Sequence, residues 1–239
     1  MTTADWNGLA ERLTKALRPV AAPLAITFSP ARPENIPDFD EPLAEPTPDG
    51  RTGRVAAGCV FWIKAGERTF STVAEDHGNC SVGSLTHGFK TLEEAAQGKD
   101  VATLLESGWV AEEVFPHIPT VADKPGAVTY GPLAETPLDP DVVLLRINPH
   151  AAMVLSDALP DLKIEGKPQC HIVAMAKDGQ VAVSVGCALS RARTGMQATE
   201  MTCTIPARRL AEVLDRVEQT SRIDTLVARY AGEDARRFQ

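Results

Sequence analysis

A chain of 239 residues, 44% hydrophobic and 23% charged, can bury a full core and has the composition of an ordinary globular protein, which sets aside fibrous and disordered classes. Its net charge of -8, with Lys and Arg scattered along the chain, argues against a nucleic-acid partner, because binding phosphates needs clustered basic residues. No apolar run reaches the roughly 18–20 residues that span a bilayer, and the first residues lack the basic start and apolar core of a secretory leader, so a cytoplasmic protein with no membrane partner is expected.

In chain order, Ala4 to Leu17 places Trp6, Leu9, Leu13 and Leu17 on one helical face, with Asp5 favouring the start and Pro19 the stop. Leu24 to Phe28 reads as a strand. Residues 31–51 form a proline- and acid-rich coil of the kind that serves as a lid or surface excursion. Gly53 to Ile63 fits a buried helix or a strand equally well. Thr69 to Ala74 alternates as a strand, and the small residues of Cys80 to Phe89 suit a helix start approached by a ligand or another backbone. Thr91 to Ser107 is an amphipathic helix capped by Thr91 and interrupted at Gly98. A connector at 116–125 leads to a strand at 127–133 and another at 142–147. Asn148-Pro149 then opens a helix through Leu159, and Asp161 to Gln169 reads as a link. An apolar segment, a tight turn and a strand follow, ending at Cys187. Ala198 to Thr204 is a strand, Pro206 to Gln219 an amphipathic helix, and the tail from Arg222 helical up to Gly232. Strands and helices mix without regular βαβ alternation, so an α+β fold is expected, as a single domain over 1–239.

Two stretches resemble each other. Cys59 to Cys80 and Cys170 to Cys187 each run from a cysteine through an apolar segment, a turn and a β-rich run to a second cysteine, and each follows a strand. This suggests an internal duplication with related halves at 20–110 and 138–220 and a helical tail at 221–239. An odd number of cysteines in a reducing compartment points to free, metal-binding or reactive thiols. The sharpest expectation is that Cys59, Cys80, Cys170 and Cys187 converge between the halves as cofactor ligands. Four thiolates suit zinc or an iron-sulfur cluster. No Cys-x-x-Cys pair is present, which counts against zinc and puts iron-sulfur first. Haem is the second choice, with His77, His87 or His171 as axial ligand. His77 beside Asp76, and Arg191 with Arg193, are the expected substrate-side or catalytic groups; the plainer reading of the two arginines is a surface salt bridge with Glu200 or the acidic loop. The function this implies is an oxidoreductase working on a small-molecule substrate or electron donor, with self-association left open. Two alternatives stand beside it: a cofactor-free small-ligand-binding protein with buried cysteines, and an enzyme with a cysteine nucleophile served by His77. Cys203, among apolar neighbours, reads as core.

The chain also resembles a known family. Leu24 to Phe28, Cys59, His77-Gly78-Asn79-Cys80, Val142 to Pro149, and above all Ser184-Val185-Gly186-Cys187-Ala188-Leu189-Ser190-Arg191 followed by Glu200 and Ile205-Pro206 look like the domain of unknown function 169 family of prokaryotic proteins. The resemblance implies that the four cysteines, His77 and Arg191 sit at family positions. It implies no activity. A common family form carries a further cysteine three residues after Cys187, where this chain has Ser190, so a cluster needing that thiolate is not expected here.

Overall fold

The structure, a computed structural model, describes residues 4–40, 58–78 and 80–238. It is an α+β fold built on one seven-stranded mixed sheet, ordered β2-β3-β1-β4-β7-β6-β5. The strands are β1 (Leu24–Ser29), β2 (Phe70–Thr72), β3 (Ala127–Pro132), β4 (Val142–Ile147), β5 (Lys163–Glu165), β6 (Ala182–Ser184) and β7 (Met201–Pro206). The central strands are buried on both faces, which is why β4 reads Val-Val-Leu-Leu-Arg-Ile rather than alternating with polar residues.

One face is covered by α1 (Trp6–Leu17), α6 (Pro149–Ala158) and α9 (Leu210–Ala235). Leu13 and Leu17 of α1, Val154 and Leu155 of α6, and Val213 of α9 meet Val143 and Leu145 of β4 there. Each such aliphatic side chain contributes roughly 1.5–3 kcal/mol by leaving water. Asp5 caps α1 by accepting the Gly8 amide at 2.9 Å, as its position in the sequence predicts. The opposite face carries α2 (Cys59–Lys64) and α7 (His171–Lys177), flanked by α3 (Ser81–Thr86) and α8 (Ala188–Thr194), with α4 (Leu92–Ala96) and α5 (Lys99–Glu106) outside α3. The break expected at Gly98 separates α4 from α5.

Three local expectations change. Residues 53–57 and most of the proline-rich coil lie outside the described residues, and the ambiguous stretch that is described is helix α2. The link at 161–169 contains β5, which pairs parallel to β6 and closes the sheet edge. The last two helices are one: α9 is continuous for 26 residues, because nothing between Gln219 and Arg222 breaks a helix.

The two halves repeat one topology. Strands β1 and β4 pair antiparallel at the sheet centre, Leu24 with Leu144 and Ile26 with Val142. Outward from them, β1-β3-β2 mirrors β4-β7-β6 with matching registers: Leu24 faces Pro132 as Val142 faces Pro206, and Phe70 faces Tyr130 as Ala182 faces Thr204. Pro132 and Pro206 each lead into a 3-10 turn, whose first amide donates to Pro23 in one half (2.8 Å) and to Asp141 in the other (2.9 Å). Under this correspondence α2 matches α7 and α3 matches α8.

Candidate functional site

All four candidate cysteines stand where a helix begins. Cys59 is the first residue of α2, after Gly58, while Cys80, Cys170 and Cys187 precede α3, α7 and α8. The helices pack across the halves, α2 on α8 and α3 on α7, so each half brings two cysteines to the junction. The sulfurs are near enough for their charges to be felt: Cys59 responds to Cys80 and Cys187, and Cys170 to Cys80, Cys187 and Cys59. Burial pushes the Cys59 thiol up to about 11, against a contact with the Ser190 hydroxyl and the charge of Arg193. Burial, with the charge of Cys80 next in weight, also holds Cys170 well above the usual thiol range, against a contact with Thr86. These two are therefore neutral thiols at neutral pH, and ionising them takes a cation that displaces their protons. Among the described residues no three His, Cys, Asp or Glu side chains are grouped closely enough to hold a single metal ion.

Each sulfur of the first three has a polar neighbour. The Gly83 amide donates to Cys80 Sγ at 3.4 Å, and the Arg193 guanidinium reaches the same sulfur from α8. Thr86 of α3 approaches Cys170, and Ser190 of α8 approaches Cys59. Gln169 Nε2 donates to Ser190 Oγ at 2.7 Å, and the Ser190 hydroxyl in turn donates to the Met196 sulfur at 3.7 Å. Behind the thiols lies an aromatic nest. Tyr130 stacks on Phe61 with ring centroids 5.5 Å apart, and Phe61 lies 4.8 Å from His77. The Tyr130 hydroxyl is fully buried, feels the charges of Cys170 and Cys59, and has no hydrogen-bond partner among the described residues.

Two of the histidines, His77 and His87, have hydrogen-bond partners that assign their tautomers. Thr72 Oγ1 donates to the Val128 carbonyl at 3.0 Å, so it accepts from His77 Nε2 at 3.0 Å, leaving Nδ1 as a bare lone pair. His87 Nδ1 lies 2.9 Å from the Gly83 carbonyl and must carry the proton, so its Nε2 is the bare lone pair, facing Gly58 next to Cys59. Burial lowers both, His87 to about 4, so both rings stay neutral. His77 thus sits inside the core, and Asp76 does not orient it: that carboxylate accepts the Val73 amide at 2.9 Å instead. His171 is buried with its ring 3.3 Å from the Glu165 carboxylate.

Arg191 lies at the α8 end of the junction and directs its guanidinium at backbone, reaching the carbonyls of Val185 (3.0 Å), Glu200 (2.9 Å) and Gln197. Glu200, 1% exposed, pairs with Arg146 rather than Arg191. The Arg191 guanidinium fills the space over Gly186, whose φ of 113° and absent Cβ permit that approach. Cys203 faces the other side of the sheet, where burial raises its thiol to about 12. Sequence reasoning did not single out Tyr130 or Thr86, and named Ser190 only as the residue at the position of a further family cysteine. Ser190 could have been found one helical turn beyond Cys187, whereas Tyr130 carries no local signal.

No curated protein and no solved structure matches the chain. A family profile described as uncharacterised ArCR matches residues 12–216, which include all four cysteines. The chain belongs to the domain of unknown function 169 family.

Proposed function

We propose that the protein is a cytoplasmic oxidoreductase whose Cys59, Cys80, Cys170 and Cys187 hold an iron-sulfur cluster at the junction of two halves of common ancestry, serving a small-molecule substrate or electron donor. One observation carries the reading: two helix-start cysteines from each half come within range of each other's charge. The donors beside Cys80, the Gly83 amide and the Arg193 guanidinium, are of the kind that stabilise cluster thiolates. The unpartnered Tyr130 hydroxyl and His87 Nε2 are polar groups that a bound group or its solvent would satisfy. Bound there, the cluster would supply one-electron chemistry. Haem ranks second because the His77 and His87 rings already lie 5.5 Å apart, with Phe89 4.6 Å from His77, and a macrocycle would have to part them.

A second reading rests on Cys80. It is partly exposed, accepts the Gly83 amide and is touched by Arg193, the electropositive setting of a reactive thiol. One experiment separates the two. Protein made in iron-replete cells and purified without air should carry iron and acid-labile sulfide, with a broad charge-transfer shoulder, and Cys59→Ser or Cys170→Ser should each abolish both. A sharp Soret band would move the ligands to the histidines. Colourless, iron-free protein in which iodoacetamide modifies Cys80 ahead of the other thiols would sink the cluster reading in favour of a thiol enzyme.

A further inference from the structure

Helix α9 is roughly 39 Å long at 1.5 Å per residue, and its last buried residue is Val217. Ser221 still reaches Ala16 of α1 at 3.0 Å, and Asp224 reaches His150 of α6 at 2.8 Å. Along the outer side, Ile223, Leu226, Val227 and Tyr230 are 55%, 63%, 59% and 73% exposed. Their spacing of i, i+3, i+4 and i+7 makes one continuous apolar stripe. The family match ends at residue 216, so the stripe belongs to an extension beyond it. A helical segment of this length without tertiary packing is marginal in water, and Gly232 weakens it further.

We propose that this stripe pairs with the same stripe of a second copy, in antiparallel orientation, to make a homodimer. Two features argue for a second copy in that orientation. Paired helices lie about 8–10 Å apart, so a parallel pair would force the two folded bodies together, whereas an antiparallel pair puts them at opposite ends. Charge agrees. At 100° per residue Arg222 and Glu233 lie on the same flank of the stripe, and antiparallel helices bring like flanks together, so Arg222 of each copy meets acid from the other. On that flank a groove of about 570 Å³ opens between α1 and α9, with Arg12, Lys15, Arg18 and Arg222 in its lining and Leu226 at its edge. This basic groove is where the partner's Glu233 arrives, Asp234 being held by Arg237 at 3.4 Å. Arg12 is itself engaged by Glu218 (2.9 Å) and Asp215 (2.7 Å), and Arg222 Nε donates to the Glu218 carbonyl at 3.2 Å, which leaves Lys15, Arg18 and the terminal amino groups of Arg222 to receive it.

Sedimentation velocity of the full chain under reducing conditions, from about 1 to 100 μM, tests this. The expected result is a mass that doubles from 25.6 kDa as concentration rises. The double variant Ile223→Asp/Leu226→Asp should stay monomeric, with the thermal unfolding of the body unchanged. Arg222→Glu should weaken association at least about tenfold, and adding Glu233→Arg should restore it. A wild-type chain that stays monomeric at the highest concentration would leave the stripe to a different partner and overturn the proposal. So would a dimer indifferent to the double Asp substitution. Failure of the Arg222/Glu233 exchange to rescue would overturn the antiparallel arrangement.

Discussion

Replacing Tyr130 with Phe should stabilise the cofactor-free protein. The hydroxyl is fully buried with no hydrogen-bond partner among the described residues, and a polar group left unsatisfied in the core costs about 1–3 kcal/mol. Phe keeps the ring contacts, stacked on Phe61 at 5.5 Å and tilted against Phe70 at 5.9 Å, so little packing is lost. A gain of about 1–2 kcal/mol is expected, or roughly 2–8 °C in Tm for a chain of this size. The other half supplies the control. Thr204 occupies the matching sheet position, but its hydroxyl donates to the Ile172 carbonyl at 2.7 Å. Thr204→Val removes that bond and should cost about 1–2 kcal/mol. Two equivalent positions are thus expected to respond with opposite signs. Urea unfolding of reduced, iron-depleted protein measures both. If Tyr130→Phe destabilises as Thr204→Val does, the hydroxyl has a partner in solution and is not free to serve the thiol site.

The buried imidazoles set a pH dependence. Burial lowers His87 to about 4 from the ordinary 6.5, so between those values the unfolded chain takes up a proton that the folded chain refuses. Stability from this group is complete above about pH 6.5 and is lost as pH falls toward 4, about 2 kcal/mol by pH 5, with His77 shifted in the same direction. Urea midpoints at pH 7 and pH 5 should show this loss, and His87→Phe should reduce it; an undiminished loss in that variant would refute the assignment. Arg191→Met should lower stability by about 2–3 kcal/mol, because the guanidinium holds three backbone carbonyls. Once a substrate is known, a variant with normal stability and a raised KM would return Arg191 to the substrate side.

Much of the fold was legible locally. Asp5, Thr91 and Asn148 announce their helices because a cap is a short-range hydrogen bond between a side chain and an amide a few residues on. The doubly buried runs at Leu24 and Val142 announce the central strands. Residues 163–165 did not announce β5, since a three-residue edge strand is defined by its neighbour β6 rather than by its own pattern. The burial of His77 was not legible, because chain position gives proximity to Asp76 and Cys80 but says nothing of the Phe61 and Phe89 rings that enclose it.

The sequence by itself determined the α+β class, the cap-delimited helices and which four cysteines bound the repeated segments. Tertiary structure alone decided that these cysteines come within range of one another's charge, that Arg193 rather than Arg191 reaches a sulfur, and that the buried Tyr130 hydroxyl feels two of them. Capping and hydrophobic periodicity are short-range and leave their marks within a few residues. The site arises where α2 meets α8 and α3 meets α7, segments far apart in the chain, through antiparallel pairing of β1 with β4 that no local pattern encodes.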